Sequence, residues 1–532
     1  MEISLLYPSL EHKISHAQGN NNPYITSEVL DELGINSLFD LRNGSLCDFF
    51  TTDKETIEYR QSVFSDMLDN EELSEVLIKI SPILSDIAEL RKLGENVDQS
   101  DSYLYSITEV ELYVSCVNVL IAELLPLKDK LKSKAFLSLI DKIDEVSKSD
   151  YFIDIESRLK QLSSRVREIQ SVTIGVNLDA RLRPESAGVL SVNSEKFKSG
   201  ELLQKILRLD FKTNEYTCIS TLHPFTKYDN ENQQNALSNA FNNALNTVFK
   251  SSMRSWKKVV QAYVLENAGF LIALLPEIEF LVKATDVIKS IQNTGNEMCV
   301  PSIEPMENKA LNLMGTFNPV VAYKLNEKLV LNDFCFDNNG TFYVLSGPNR
   351  GGKSVISCAI GHVFVMAQLG FLVPAKEAVL SPVDAIFTHF PTGSEDTIDK
   401  GRLGEECARL DQIFERVTEN SLVLLDETLS STGSYEAAYI ASEVLAGFSM
   451  VKCRGIFTTH LHELTAMLDE INEKAKLQGG SHIDTLVAGM EEGERSFIIS
   501  RKKPDGRSYA RDIASKYGIS LDSILEKIQK NK

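Results

Sequence analysis

Gly347-Pro348-Asn349-Arg350-Gly351-Gly352-Lys353-Ser354 lies between the apolar run Phe342-Tyr343-Val344-Leu345-Ser346 and a helical pattern from Val355 to Leu369. The eight residues satisfy G-x-x-x-x-G-K-[ST] in full, and strand–loop–helix is the context that this motif requires. Glycines let backbone N–H groups turn inward on a phosphate, and the helix N-terminus behind them adds partial positive charge. In a loop built from Gly347, Pro348, Asn349, Gly351 and Gly352, Lys353 reaches the β- and γ-phosphates and the Ser354 hydroxyl ligates Mg²⁺. A chance glycine-rich turn would match the spacing but would not come with the flanking strand and helix. The stretch predicts a nucleoside triphosphate site.

Two further strand ends belong with it. Ser421-Leu422-Val423-Leu424-Leu425-Asp426-Glu427 is an apolar strand that runs into two acids. Asp426 is placed to hold the metal ion, and Glu427, one residue on, to polarise an attacking water as general base. Gly455-Ile456-Phe457-Thr458-Thr459-His460 reads as the neighbouring strand and ends in a histidine. A lone histidine is commonly just a satisfied surface or core group. Beside a strand ending in Asp-Glu, His460 becomes a candidate sensor of the γ-phosphate. His462 and Glu463 follow, but two ligands with no third do not make a metal site. His362 falls on the helix behind the loop and receives no role.

With 532 residues the chain has room for about two to four domains, each with its own core. The N-terminus, Met1-Glu2-Ile3-Ser4, lacks the basic segment of a secretory signal, and no apolar run reads as long enough to span a membrane. Eight cysteines without a C-x-x-C pair read as reduced thiols of a cytoplasmic protein. The net charge of −20 excludes a uniformly basic coat for nucleic acid, while leaving room for a local basic surface.

Along the chain, residues 1–52 are mixed, with Asn20-Asn21-Asn22-Pro23 as a loop and Thr26-Ser27-Glu28 as a helix start. Residues 53–299 are largely helical, with apolar residues at three- and four-residue spacing and a break at Pro126. Within them, 171–225 switches to alternation, as in Val172, Ile174, Val176 and Leu178, with more strand material at Leu190–Val192 and Tyr216–Ile219. An Asn/Gln-rich stretch (229–235) leads back to helix, an apolar stripe includes Trp256, and Pro276 should divide the helix it lies in. From 300 to 532 strand candidates at 342–346, 385–388, 422–426, 455–459 and 496–500 alternate with helices, implying a parallel sheet covered on both faces.

Gly347 to Ser354, Ala367-Gln368-Leu369-Gly370-Phe371-Leu372-Val373-Pro374-Ala375, Ser421 to Glu427 and Thr459-His460-Leu461-His462-Glu463-Leu464 together resemble the ATPase domain of MutS-type proteins. Gly315-Thr316-Phe317-Asn318-Pro319-Val320-Val321 and the tail from Lys503-Pro504 through Ser508-Tyr509-Ala510 to Tyr517-Gly518 extend the likeness. The resemblance covers 300–532 closely and 50–300 loosely. It implies a multidomain chain: a helical lever/core region carrying a small strand-containing clamp insert, then an α/β P-loop ATPase domain of the ABC class. It also implies ATP and Mg²⁺ as cofactors, a homodimer formed through the ATPase domain, and DNA held by the clamp. By position Asn349, Lys353, Ser354, Asp426, Glu427 and His460 take the phosphate, metal, water and γ-phosphate roles.

Departures from the family pattern narrow this. Lever-like helices begin within the first sixty or so residues, leaving no room for the family's mismatch-reading domain with its aromatic wedge. DNA structure, such as a junction or branch, is therefore the expected target rather than a mismatch. Thr428-Leu429-Ser430-Ser431-Thr432-Gly433-Ser434 replaces a glycine- and threonine-rich loop, and Gly401-Arg402 is followed by Leu403-Gly404-Glu405-Glu406, two acids that would repel a γ-phosphate unless turned away. Arg158, Lys160, Arg165, Arg167, Arg181, Arg183, Lys196 and Lys198 are the cations available to track a phosphate backbone. Ion pairing on a solvated helix face is the competing reading of that cluster. The acidic charge and altered loop also motivate an alternative function, a nucleotide-dependent switch acting on a protein or ribonucleoprotein partner.

Overall fold

The computed structural model describes residues 3–39, 45–95, 103–167, 171–178, 180–181, 184–193, 220–222, 269–337, 340–348, 350–390, 402–429, 431–491, 494–504, 523–524 and 527–528. Trp256, the 229–235 stretch, the strand material at 216–219 and the tail from 505 to 518 lie outside them. The chain forms two compact units: Met1–Ile3, Asn70–Lys132 and Phe136–Ile278 make one, and Ser4–Asp69, Ser133–Ala135 and Glu279–Lys532 the other.

The first unit is a helical assembly with a small sheet. Helix Glu71–Glu95 buries Leu73, Val76, Leu77, Ile80, Leu84 and Ile87, the three- and four-residue spacing that puts one stripe into a core. Helix Tyr103–Leu124 packs on it with Val110, Tyr113, Val117, Leu120 and Leu124 buried. Pro126 ends that helix, and a 3₁₀ segment, Leu125–Lys130, follows. Helices Lys134–Lys148 and Asp150–Arg167 continue the pattern, and Tyr113 meets Phe152 edge-on with ring centroids 6.2 Å apart. One expectation needs correction here: Thr108–Lys130 is long and apolar enough to cross a membrane by length and composition. Its apolar stripe is the one packed on helix Glu71–Glu95, so bundle packing accounts for it. Among the described residues of the strand-containing insert, Ser171–Leu178, Pro184–Asn193 and Ser220–Leu222 form a three-stranded antiparallel sheet.

The second unit is built on a six-stranded sheet. Its order is Glu494–Arg501, Ile483–Glu491, Phe342–Ser346, Arg454–Thr458, Leu422–Asp426 and Ile386–His389. The last five strands are parallel. Helices cover both faces as expected. Val423 and Leu425 point into a core with Ala441, Leu445 and Phe448 of helix Ser434–Val451 and Leu464 and Leu468 of helix His462–Leu477. Leu424 points the other way, against Gly361 of helix Lys353–Leu369. The expected strand at 496–500 is antiparallel, the return arm of a hairpin with Ile483–Glu491, and it caps one edge of the parallel array. A second, mixed sheet of Ser302–Ile303, Glu377–Leu380, Leu311–Thr316 and Asn332–Phe336 was not expected. Arg454 ties it to the main sheet: the guanidinium, fully buried, donates to the carbonyls of Ala310 (3.3 Å), Ser381 (3.0 Å), Pro382 (3.0 Å) and Asn420 (3.3 Å).

The boundaries drawn at 52/53 and 299/300 differ from these units, because long-range packing recruits the N-terminal residues and the first long helix. Arg60, on helix Lys54–Asp69 and fully buried, donates to the carbonyl oxygens of Leu6 (3.0 Å) and Phe49. Thr51 N–H donates to Gln368 O (3.2 Å), and Tyr24 bridges to Ala385 beside the sheet edge. Phe49, Phe64, Phe280 and Phe371 form one aromatic cluster, with centroids 4.2 Å apart for Phe49 and Phe280 and 4.9 Å for Phe64 and Phe371. His362 donates through Nε2 to Leu33 O (2.8 Å), and burial pushes its pKa down to about 4.

Two outcomes follow for stability. Gly370 ends the loop helix at φ 85°, and a Cβ there would meet Arg60 Cβ at 2.3 Å. Gly370→Ala should destabilise by at least about 2 kcal/mol in denaturant titration, combining left-handed strain with a clash. His362 has a folded pKa (about 4) below its ordinary 6.5, so the native state binds fewer protons between those values. Its contribution is complete above pH 6.5 and is lost as pH falls toward 4, with a slope of about 1.4 kcal/mol per pH unit. His362→Gln should remove that part of the slope. His389, likewise held near 4 by burial and by Arg409, keeps its own share.

Candidate nucleotide site

The loop connects the end of buried strand Phe342–Ser346 to the start of helix Lys353–Leu369. Its glycines are there for space and for backbone sign. Gly347 has φ 139° and lies so close to Ala488 that a Cβ would stand 2.8 Å from that residue's own Cβ. Gly352 has φ 91° and caps the helix. Asn349 lies outside the described residues, and Pro348 and Gly351 close the turn through a 3.1 Å Gly351 N–H to Pro348 O bond.

Side chains from three elements converge at the loop. Lys353, 4% exposed, points its ammonium back at the carbonyls of Gly347 (3.1 Å) and Pro348 (3.3 Å) and against the His460 ring at 3.3–3.4 Å. Burial lowers the pKa of Lys353 below the ordinary lysine value, opposed by the charges of Glu427 and Asp426. Ser354 Oγ donates to Asp426 Oδ1 at 3.0 Å. Asp426 is the last residue of its strand, in register with Thr458 of the neighbour, whose hydroxyl also donates to Oδ1. Glu427 leaves the strand at φ 48°, its N–H held by Thr458 O (3.1 Å) and Thr458 Oγ1 (3.3 Å), and its carboxylate lies 2.6 Å from His460 Nε2. A non-glycine residue in left-handed backbone is strain of the kind that collects at functional sites.

Lys353, Ser354, Asp426, Glu427 and His460, all expected together, are thus brought together. His462 and Glu463 open the next helix, exposed, with Ser434 Oγ donating to Glu463 at 3.3 Å. Among the described residues no cluster of three His, Cys, Asp or Glu side chains is placed to hold a metal. The hydroxyl of Ser354 beside the carboxylate of Asp426 is instead the hard oxygen donor set that suits Mg²⁺, with room for phosphate and water ligands. Glu406 is buried and accepts from Ser431 Oγ at 3.0 Å. Gly401 lies outside the described residues.

Of the expected phosphate-tracking cations, Arg158 pairs with Asp154 (2.8 Å) and Lys160 with Glu156 (3.1 Å), each one turn away on an exposed helix face. Arg165 and Arg167 follow on the same helix, and Arg181 is exposed between two insert strands. Arg183, Lys196 and Lys198 lie outside the described residues.

Several site residues escaped the sequence reading. Thr458 links both acids; as the polar end of an apolar strand next to Asp426 it was discoverable. His389 ends the strand on the other side of Leu425 and meets Thr428 Oγ1 at 3.1 Å. Beside the loop opens a cavity of about 470 Å³ whose wall includes Phe317, Asn318, Leu329, Asn332, Arg350 and Phe497. Nothing in the sequence around Phe497 signals that it would face this space.

Comparison with known proteins bears on both units. The MutS domain V model matches residues 343–519, and the MutS2 N-terminal domain model matches 52–294. The DNA mismatch repair protein MutS of Prochlorococcus marinus (strain MIT 9312) is 30% identical over 249 residues, 45% of this chain and 26% of that protein. That of Synechococcus sp. (strain CC9902) is 30% identical over 294 residues, 53% of this chain and 31% of that protein. The DNA mismatch repair protein MSH2 of Saccharomyces cerevisiae is 25% identical over 285 residues, 51% and 29% of the two chains. The chain thus spans about a quarter to a third of the length of the curated relatives it matches. A MutS domain V and a MutS2 N-terminal domain in one sequence, with MutS relatives at 30% identity, make this chain a MutS-like protein.

Proposed function

We propose that this chain is an ATP-dependent DNA-binding protein of the MutS type, in which ATP binding and hydrolysis by the α/β ATPase domain (300–532) switch a helical lever (53–299) and its clamp insert on DNA. The observation that carries the proposal is the convergence around the glycine loop of two hydrogen-bonded sets, Lys353–His460–Glu427 and Ser354–Asp426. That set has the chemistry of phosphoryl transfer to water. Loop N–H groups and Lys353 hold the β- and γ-phosphates, so the ammonium exchanges the carbonyls of Gly347 and Pro348 for phosphate oxygens. Ser354 and Asp426 would hold Mg²⁺, which neutralises charge on the β- and γ-oxygens. Glu427 accepts the proton of the attacking water, and His460, in contact with both Glu427 and Lys353, senses the γ-phosphate.

The relatives are named as DNA mismatch repair proteins, which supports DNA as the partner. A homodimer through the ATPase domain, a cytoplasmic setting and recognition of branched rather than mismatched duplex complete the reading. Arg158, Lys160, Arg165, Arg167, Arg181, Arg183, Lys196 and Lys198 are its proposed phosphate contacts. The acid partners of Arg158 and Lys160 are no obstacle, since exposed ion pairs contribute about 1 kcal/mol or less and phosphate can displace them.

ATP turnover measured with linear, mismatched and branched DNA at two salt concentrations tests the proposal. Glu427→Gln should lower turnover by roughly 100-fold or more while ATP still binds, and Lys353→Ala should abolish binding. Unchanged turnover in Glu427→Gln removes the general-base assignment. DNA binding should weaken steeply with salt. ATP turnover without any salt-sensitive DNA binding would favour a switch acting on a protein or ribonucleoprotein instead.

A further inference from the structure

Thr428 is flanked by two residues in left-handed backbone, Glu427 at φ 48° and Leu429 at φ 67°. Such backbone costs free energy at each non-glycine position and persists only where the surroundings over-determine it. Upstream, Glu427 N–H is held by the carbonyl and the hydroxyl of Thr458, from strand Arg454–Thr458. A second hold acts downstream and comes from the opposite neighbour in the sheet. Strand Leu422–Asp426 lies between Arg454–Thr458 and Ile386–His389, and Leu425 is in register with His389, the last residue of that other strand. Thr428 is buried, and its hydroxyl lies 3.1 Å from His389 Nδ1.

The surroundings of His389 suit it to holding a hydroxyl. The ring is buried, and burial together with the charge of Arg409 pushes its pKa down to about 4. A neutral imidazole carries one N–H, and a hydroxyl can donate to or accept from Nδ1, so the bond forms in either tautomer. Arg409 is itself fixed by Glu28 (3.2 Å) and Glu32, both on helix Ser27–Glu32. The chain beyond Thr428 is anchored to the helix that carries Arg409: Leu429 is fully buried, and Ser431 Oγ donates to Glu406 (3.0 Å) of helix Arg402–Phe414.

We infer that His389 is a positioning residue for the general base: through Thr428 it fixes the strained turn at Glu427, and with it the direction of the carboxylate that takes the proton of the attacking water. The inference rests on Glu427 acting as general base in ATP hydrolysis. His389 exchanges no proton with water or nucleotide in this role. A misdirected base costs rate. Nucleotide binding, which the glycine loop and Lys353 supply, is left intact.

The test combines single-turnover ATP hydrolysis with equilibrium ATP binding, on the full chain and its variants. His389→Ala should slow hydrolysis by about tenfold, the factor of one lost hydrogen bond, with ATP affinity unchanged. His389→Asn, whose amide reaches the place of Nδ1, should recover most of the rate. His389→Gln, whose amide reaches the place of Nε2, should not. Thr428→Val should reproduce the loss, and the His389→Ala/Thr428→Val double variant should lose no more than either alone. In the Glu427→Gln background His389→Ala should have no further effect, because the group it positions is gone. If His389→Ala does not fold, the contrast between His389→Asn and His389→Gln carries the same test. The inference is overturned if His389→Ala hydrolyses ATP as the parent does, if its loss lies in ATP affinity, if Gln serves as well as Asn, or if its loss multiplies with that of Glu427→Gln. A parent chain that does not hydrolyse ATP, or a Glu427→Gln variant as fast as the parent, would instead overturn the ATPase reading itself.

Discussion

One carboxylate oxygen organises the ATPase-like unit. Asp426 Oδ1 accepts from the Ser354 hydroxyl, at the start of the loop helix, and from the Thr458 hydroxyl, at the end of the adjacent strand. Asp426 is 6% exposed, and an acid so placed needs donors around it or its desolvation would act against folding. Those donors come from two other elements, so satisfying the charge fixes the loop helix, strand Leu422–Asp426 and strand Arg454–Thr458 against one another. Thr458 extends the constraint by one residue, because its carbonyl and hydroxyl both receive the Glu427 N–H. The backbone then turns left-handed at Glu427 and again at Leu429, φ 67°. The direction of the Glu427 side chain is thereby set by the same junction that brings the Ser354 hydroxyl and the Asp426 carboxylate together.

Buried arginines play the corresponding part farther out. Arg454 spends its guanidinium on four carbonyls that belong to loops and strand ends of both sheets, and burial lowers its pKa to about 10. Arg60 gathers the carbonyls of Leu6 and Phe49 and lies 5.0 Å from the centre of the Tyr7 ring. A guanidinium suits this work because it offers five donors in a plane and no acceptor, so it can close several chain ends that a sheet leaves unpaired. Lysine would offer a more strongly hydrated point charge and fewer fixed directions.

These interactions also explain what the sequence could reveal. Strands 342–346, 422–426 and 454–458 were legible because strands buried on both faces are uninterrupted apolar runs, and the loop and acids sit at their ends. The second sheet was not, since Leu311–Thr316 and Asn332–Phe336 are short and half-exposed, and Ser302–Ile303 is only two residues long. The return strand's direction was missed because the partner strand Ile483–Glu491 went unrecognised, leaving 496–500 to be read as one more parallel strand. Residues 1–52 read as a separate segment, and 53–69 as part of the helical region, because the attachment of 4–69 depends on contacts hundreds of positions away, such as His362 to Leu33, that no local pattern encodes. Phe497 was invisible for a different reason: its orientation follows from a bulge fixed by Asn332, and a register shift leaves no mark in residue type.

The site's polar groups form a linked chain from Lys353 of the loop to Glu427. Lys353 touches His460, and His460 touches Glu427, while Glu427 and Asp426 both raise the lysine's pKa against the effect of burial. A phosphate that draws Lys353 off the Gly347 and Pro348 carbonyls must therefore change the surroundings of His460 as well. The His460 side chain is 36% exposed and that of Glu427 38%, whereas Lys353 and Asp426 are buried. The His460–Glu427 pair, with Glu427 on left-handed backbone, is thus the part of the network that a phosphate displacing Lys353 from those carbonyls would reach through side chains alone.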